Sequence, residues 1–319
     1  MKRPLTLAIL FAGKLFALAG IAMVPGLPFN PSTNEVISIV PTNELPEAIW
    51  IYKTVKQQFS PCVVSNLMWL GGFTQRDATK SPISHEIPDK ETLYYANKER
   101  TRNLGIYPSV GYIEYNDETA LADMKESPKN IPSEEDAFGL AQKYLRFIGV
   151  DSSQIARKPG STEMRFYRMK SKRSYFDRKL GQRIIGAVDK RGVYFVRWID
   201  GVEFTGLYSG GGVAFDFGDN GKISELVVNW RNFQPHKLVP FPTNEQLVER
   251  IKKGMAYVVD PVPNGITKVT VKKASPFYQG LSEDEKQPFL YPFADVELEL
   301  QTTTTNQLLR ATCPIVLTE

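Results

Sequence analysis

The residues most able to do chemistry are two carboxylates, Asp216 and Glu225. They flank the dipeptide Asn220-Gly221 at equal distances along the chain. Asn-Gly between runs of β-branched and aromatic residues specifies a two-residue hairpin loop. That loop sets a register in which Phe215 faces Leu226, Val213 faces Val228, and Asp216 faces Glu225. Opposite residues of an antiparallel pair share a face. Val213, Phe215, Phe217, Leu226, Val228 and Trp230 then form an apolar face, and the two acids lie on the other side. Facing like charges repel, so the pair reads either as an acid/base or cation-binding site or as a solvated face with a cation nearby, such as Arg197. The register also leaves Ile223 on the outer face and Ser224 on the inner one. A bulge near Ser224-Glu225 would return Ile223 to the core and would break the facing of Asp216 and Glu225.

The second candidate is a basic stretch. From Arg157 to Arg191 there are twelve Lys/Arg against three Asp/Glu, although the whole chain of 319 residues carries a net charge of only +4. Arg168, Lys170, Lys172, Arg173, Arg178 and Lys179 form its centre and a candidate binding surface for anionic lipid or an acidic protein. A solvated loop balanced by the acidic remainder is the alternative. Nucleic acid, with Tyr167, Tyr175 and Phe176 as stacking partners, requires a cytoplasmic protein. The other chemistries find little support. His85 and His236 are far apart, and there is no C-x-x-C, so no metal is expected. Gly206 to Gly210 is G-x-x-S-G rather than a nucleophile elbow. Gly210 to Gly212 leads into a strand rather than a helix, so it reads as a bulge or close backbone approach rather than a phosphate cradle. No catalytic residue and no cofactor is assigned. Cys62 and Cys313 could pair in an exported protein; two buried reduced thiols is the other reading.

The elements that must position these residues follow from periodicity and turn chemistry. Lys2 and Arg3, the apolar run Leu5 to Gly13, and Ala17-Leu18-Ala19 predict a secretory signal cleaved near Ala19; Lys14 interrupts the apolar run, and an uncleaved anchor is the other reading. No other segment could cross a membrane. The expected division is a signal over 1–22, an irregular arm over 23–45, and three units over 46–130, 131–236 and 237–319. Pro46 followed by Ala48, Tyr52, Val55 and Phe59 predicts a helix over 46–59. Pro61 ends it, and 63–73 could be a strand. Ser133 with Asp136 opens a helix to Gly149, and Thr243 with Gln246 opens one to Val259. Strands are expected over 92–97, 110–115, 163–170, 184–188, 268–274, 289–302 and 307–316, with a loop or hairpin tip over 171–183. The order predicts an α+β fold in which each antiparallel sheet is covered by a helix.

The run from Ser133, SEEDAFGLAQKYLRFIGV, with VYFVRWIDGVEF and GGGVAFDFGDNGKISELVVNW, resembles PepSY-type propeptide domains. Asp200-Gly201 and Asn220-Gly221-Lys222-Ile223 stand at the turns of that pattern. Lys253-Gly254 and Leu290-Tyr291-Pro292-Phe293 are similar to elements of the extracytoplasmic sensor-kinase regulators of Gram-positive bacteria. The resemblance spans roughly 92–302. It implies tandem PepSY-like (cystatin-like) units and a non-enzymatic, exported protein that binds another envelope or secreted protein, with no nucleic acid. A secreted hydrolase using Asp216 and Glu225, or a module for anionic surfaces, is the alternative.

Overall fold

The computed structural model describes residues 26–31, 36–39, 45–80, 92–121, 128–158, 160–177, 181–205, 211–280 and 287–316. The expected signal and its cleavage site lie outside these residues. Among them the elements run β1 (Leu27–Phe29), β2 (Val36–Ile39), β3 (Ala48–Val55), α1 (Pro61–Gly71), β4 (Leu93–Ala96), β5 (Arg102–Tyr107), β6 (Tyr112–Asp117) and α2 (Glu134–Phe147). There follow β7 (Phe166–Asp177), β8 (Gln182–Ile199), β9 (Val202–Thr205), β10 (Gly212–Phe217), β11 (Ile223–Asn229), β12 (Asn232–Pro240) and α3 (Asn244–Lys252). The chain closes with β13 (Ala256–Val258), β14 (Ile266–Gln279), β15 (Phe289–Leu290), β16 (Pro292–Thr302) and β17 (Asn306–Pro314).

This corrects the expected fold class. The protein is mostly β, not a tandem of helix-then-strands α+β units each with its own helical cover. One 14-stranded mixed sheet runs β1-β13-β17-β16-β14-β9-β8-β10-β11-β6-β5-β4, with β2 paired to β14 and β7 to β8. A small sheet, β12-β3-β15, accompanies it. The joint that makes the large sheet continuous is the parallel pairing of β14 with β9, where Phe277 meets Glu203. Strand β9 is itself the short return of β8 through the Asp200-Gly201 turn. Both turn residues take positive φ, 50° and 79°, as a tight hairpin with the right twist requires.

Two cores lie along this sheet. The first gathers Phe195, Val213, Phe215, Phe217, Leu226 and Val228 with Ala137, Ala141 and Leu145 of α2 and Leu67 of α1. Ser133 caps α2 through the Asp136 amide, as its sequence specifies. The second gathers the inward residues of β14, β16 and β17 with Leu247, Val248 and Ile251 of α3. So α3 does not cover the β10–β11 hairpin; it ends at Lys252, and the last part of its expected span forms β13.

The region 46–71 reverses the expected order. Residues 48–55 form a strand that is buried at Ile49, Ile51 and Tyr52 and exposed at Ala48 and Lys53. It pairs with β12 and β15 and packs in the second core. Pro61 does not stop a helix but starts one: Ser60 caps α1, and Pro61 occupies its first position, where a missing N–H costs nothing.

Candidate functional site

The Asn220-Gly221 hairpin forms, with Asn220 at φ 56° in the left-handed region. Phe215 faces Leu226 and Val213 faces Val228. The register then shifts between Asp216 and Phe217, so that Phe217 pairs with Ile223 and Ser224 is the extra residue. Ile223 is thereby buried beside Phe217, and the Ser224 hydroxyl donates to the Asp216 carbonyl at 3.1 Å. The bulge sits one step nearer the turn than Glu225. It therefore restores Ile223 without separating the acids, which still face each other.

A lysine lies between those acids. Strand β8 runs on the other side of β10, with Gly192 opposite Asp216. Lys190, two residues along on the same face, sends its ammonium to both carboxylates: an ion pair with Asp216, and one with Glu225 at 3.0 Å. Asp216 is the more enclosed, its side chain 13 % exposed against 37 % for Glu225. Burial pushes the Asp216 carboxyl above the usual carboxylate range, against the downward pull of Lys190. Burial pulls Lys190 down, and the two carboxylates together more than offset it, so its pKa is raised. The arrangement is an ionic clasp tying three adjacent strands. It leaves net charge −1 on a sheet face, and each acid already has a partner for its charge. Arg197 is not that partner. Two hydrogen-bond acceptors hold it on the core side: its Nη2 and Nε donate to Gln154 Oε1 at 2.7 and 3.0 Å, and its Nη1 donates to the Arg231 carbonyl at 2.6 Å. It stacks over Trp230 at 4.4 Å, and burial holds its pKa well below the usual guanidinium range.

The basic stretch is a strand, not a loop. Strands β7 and β8 pair from Phe166↔Phe195 out to Asp177↔Gln182. The neighbour on the far side, β10, reaches only as far as Arg191. From 190 back to 182, β8 has only β7 beside it among the described residues, so the pair continues as a two-stranded ribbon of roughly 25–30 Å. Its register shifts at Ser171/Lys172 and again at Lys172/Ser174, and such bulges bend and twist a ribbon. Lys170, Lys172 and Arg173 lie along β7; Arg178 and Lys179 lie outside the described residues. Arg168 stands at the root. It pairs with Glu134 at 2.8 Å and lies 5.4 Å over the Phe166 ring, while Arg191 reaches the same Glu134 at 3.7 Å. The ribbon thus leaves the sheet between two ionic ties, Glu134 on one side and the Lys190 clasp on the other.

The remaining candidates have structural places. Gly212 approaches β8 so closely that a Cβ would fall on the Phe195 carbonyl oxygen and the Tyr194 ring, which is the close backbone approach its sequence allowed. Ser209 and His85 lie outside the described residues, and His236 sits 4.9 Å from the Phe289 ring. Cys62 and Cys313 are both free, the first exposed and the second buried. Among the described residues no three His, Cys, Asp or Glu cluster as metal ligands, and no helix is long and apolar enough to cross a membrane. Lys190 is the residue of this cluster that the sequence did not place: its charge is visible in the basic count, but its destination depends on the register of β8 against β10. No family model and no curated protein matches the chain.

Proposed function

We propose that this chain is an exported, non-enzymatic interaction protein that binds another envelope or secreted protein through the β7–β8 ribbon. The observation that carries this reading is the ribbon itself. From Lys170 to Arg183 it holds six Lys/Arg against one Asp. An isolated two-stranded ribbon has little stability of its own, and this one is tied at its root by two sets of ion pairs. A basic ribbon anchored in this way presents a long, narrow, positive surface suited to an acidic partner. The engagement of both Asp216 and Glu225 by Lys190 supports a binding role over acid/base catalysis. The likeness of the Asp200-Gly201 and Asn220-Gly221-Lys222-Ile223 turns to PepSY-type domains points the same way.

The test is charge reversal of Lys170, Lys172 and Arg173 to Glu in the full chain, with a photo-crosslinker at position 179. The wild-type chain should give a discrete crosslinked protein adduct in an envelope extract, suppressed by salt over the range set by a Debye length of about 8–10 Å near 0.1 M. The triple variant should lose it. Crosslinking that is indifferent to both salt and charge reversal would rule out the ribbon as the binding element. Flotation with anionic vesicles at the same salt, without a protein adduct, would transfer the ribbon's role to lipid headgroups.

A further inference from the structure

A second basic feature lies away from the ribbon, in a cleft beside the turn between β8 and β9. Ala156 bonds to β8 through its N–H to the Val196 carbonyl, and the chain then folds back on itself. Arg157 pairs with Met164, and the Lys158 N–H meets the Glu163 carbonyl at 2.9 Å. This hairpin faces the turn between β8 and β9. Between the two is a cleft of about 410 Å³, lined by Arg157, Lys158 and Arg165 on one wall and Trp198 and Glu203 on the other. That volume suits a small molecule.

The charges of the lining are unequally satisfied. Lys158 has Glu163 at 2.5 Å, on the rim. Arg157 spends two donors on carbonyls, Nη1 on Thr162 at 3.0 Å and Nη2 on Ser152 at 3.0 Å, and makes no ion pair with a carboxylate among the described residues. Arg165 has Glu203 Oε2 2.5 Å from its Nη2, but neither Nη2 nor Nε has an acceptor in hydrogen-bonding geometry, and both atoms are buried. Glu203 thus holds the Arg165 charge, and only its displacement would give the guanidinium fork to another carboxylate. Opposite it, the Trp198 indole is fixed by its Nε1 donating to the Ser153 carbonyl at 3.2 Å and is half-buried. A half-buried indole provides a flat apolar surface for a ring.

We propose that this cleft binds a small organic anion, a carboxylate carried on a ring with an apolar face, with Arg165 and Arg157 on the carboxylate and Trp198 on the ring. Glu203 is the internal competitor, occupying part of the Arg165 fork until a ligand displaces it. The site is separate from the ribbon and stands on different residues. An aryl acid and a uronic sugar share the required chemistry. A bare oxyanion is too small to reach both the guanidinium and the indole.

The test is titration of the full chain with benzoate, glucuronate, benzyl alcohol, glucose and inorganic phosphate, reading the indole N–H of Trp198 by NMR against a Trp198→Phe assignment control. One of the two carboxylates should give a saturable shift, and its identity distinguishes the aryl source from the sugar source. Its neutral counterpart and phosphate should bind about tenfold more weakly or worse, the value of a charge-assisted hydrogen bond. Arg165→Gln should weaken binding by a similar factor. Glu203→Gln should tighten it, because it frees the fork, and this gain is not expected of a residue with only a structural role. Absence of a saturable shift with either carboxylate, equal binding of phosphate or a neutral ring, or weaker binding in Glu203→Gln would each overturn the proposal.

Discussion

Deleting the charge of Lys190 should destabilise the protein in a pH-dependent way. Lys190→Met keeps an apolar stem of similar length and leaves Asp216 facing Glu225 without a cation. Removing one partner of a buried ion pair costs about 3–5 kcal/mol. Glu225 is 37 % exposed, and solvent screens its share, so the loss at pH 7 should be about 2–3 kcal/mol. With a urea slope of about 3 kcal/mol/M, the unfolding midpoint should fall by about 0.7–1 M. The sign of the pH effect follows from the Asp216 carboxyl, which burial already holds above its ordinary value. Loss of Lys190 raises it further. An acid whose folded pKa exceeds its unfolded value near 3.9 contributes stability below that unfolded value, and the contribution is lost as pH rises through the folded pKa. The deficit of the variant relative to wild type should therefore shrink as pH falls from about 7 to about 4. Urea melts of both proteins across that range measure it. An unchanged midpoint at neutral pH, or a deficit independent of pH, would refute the reasoning. Adding Asp216→Asn to Lys190→Met should recover at least half of the loss, because the facing repulsion is then gone.

Arg197→Ala should cost about 3 kcal/mol by thermal or urea unfolding, because Gln154 and the Arg231 carbonyl lose their donor and Trp230 loses its stacked cation. Arg197→Lys should restore less than half of that, since an ammonium cannot reproduce the fork. Gly212→Ala should lower soluble yield and stability by about 2 kcal/mol or more, since the added methyl collides with β8 backbone and not with a movable side-chain end alone. A thiol reagent should modify one cysteine, Cys62, in the native protein. Cys313, whose thiol burial pushes up to about 12, should react only after unfolding.

The parts of the fold legible in the sequence are those where local chemistry and tertiary packing agree. The Ser133 and Thr243 caps, the Asp200-Gly201 and Asn220-Gly221 turns, and a long strand within 289–302 all formed where they were read. Residues 46–71 failed because two patterns were present at once. Ala48, Tyr52, Val55 and Phe59 have helical spacing, but Ile49 and Ile51 have strand spacing, and pairing with β12 and β15 decided between them. A proline marked both ends of the mistake, since Pro can open a helix as readily as it can close one. At the candidate site, the facing of Asp216 and Glu225 was legible from one hairpin. The clasp was not, because Lys190 arrives from a third strand whose register no local turn specifies. The fold class failed for a related reason. The β9–β14 pairing that fuses two sheets into one is a parallel contact between distant segments, and no periodicity encodes it.

The placement of β3 has a consequence for biosynthesis. Its residues leave the ribosome early, but its main partner begins at Asn232 and its second at Phe289. At about 5–20 residues per second, β3 precedes β12 by roughly 10–35 s. The first core lies almost wholly between these partners in sequence and can close meanwhile. Throughout that interval Ile49, Trp50, Ile51 and Tyr52 form an apolar strand with both edges open, the kind of segment that holding chaperones engage. Arrival of β12 closes one edge and arrival of β15 the other, so the last part of synthesis retires a hazard created near its beginning.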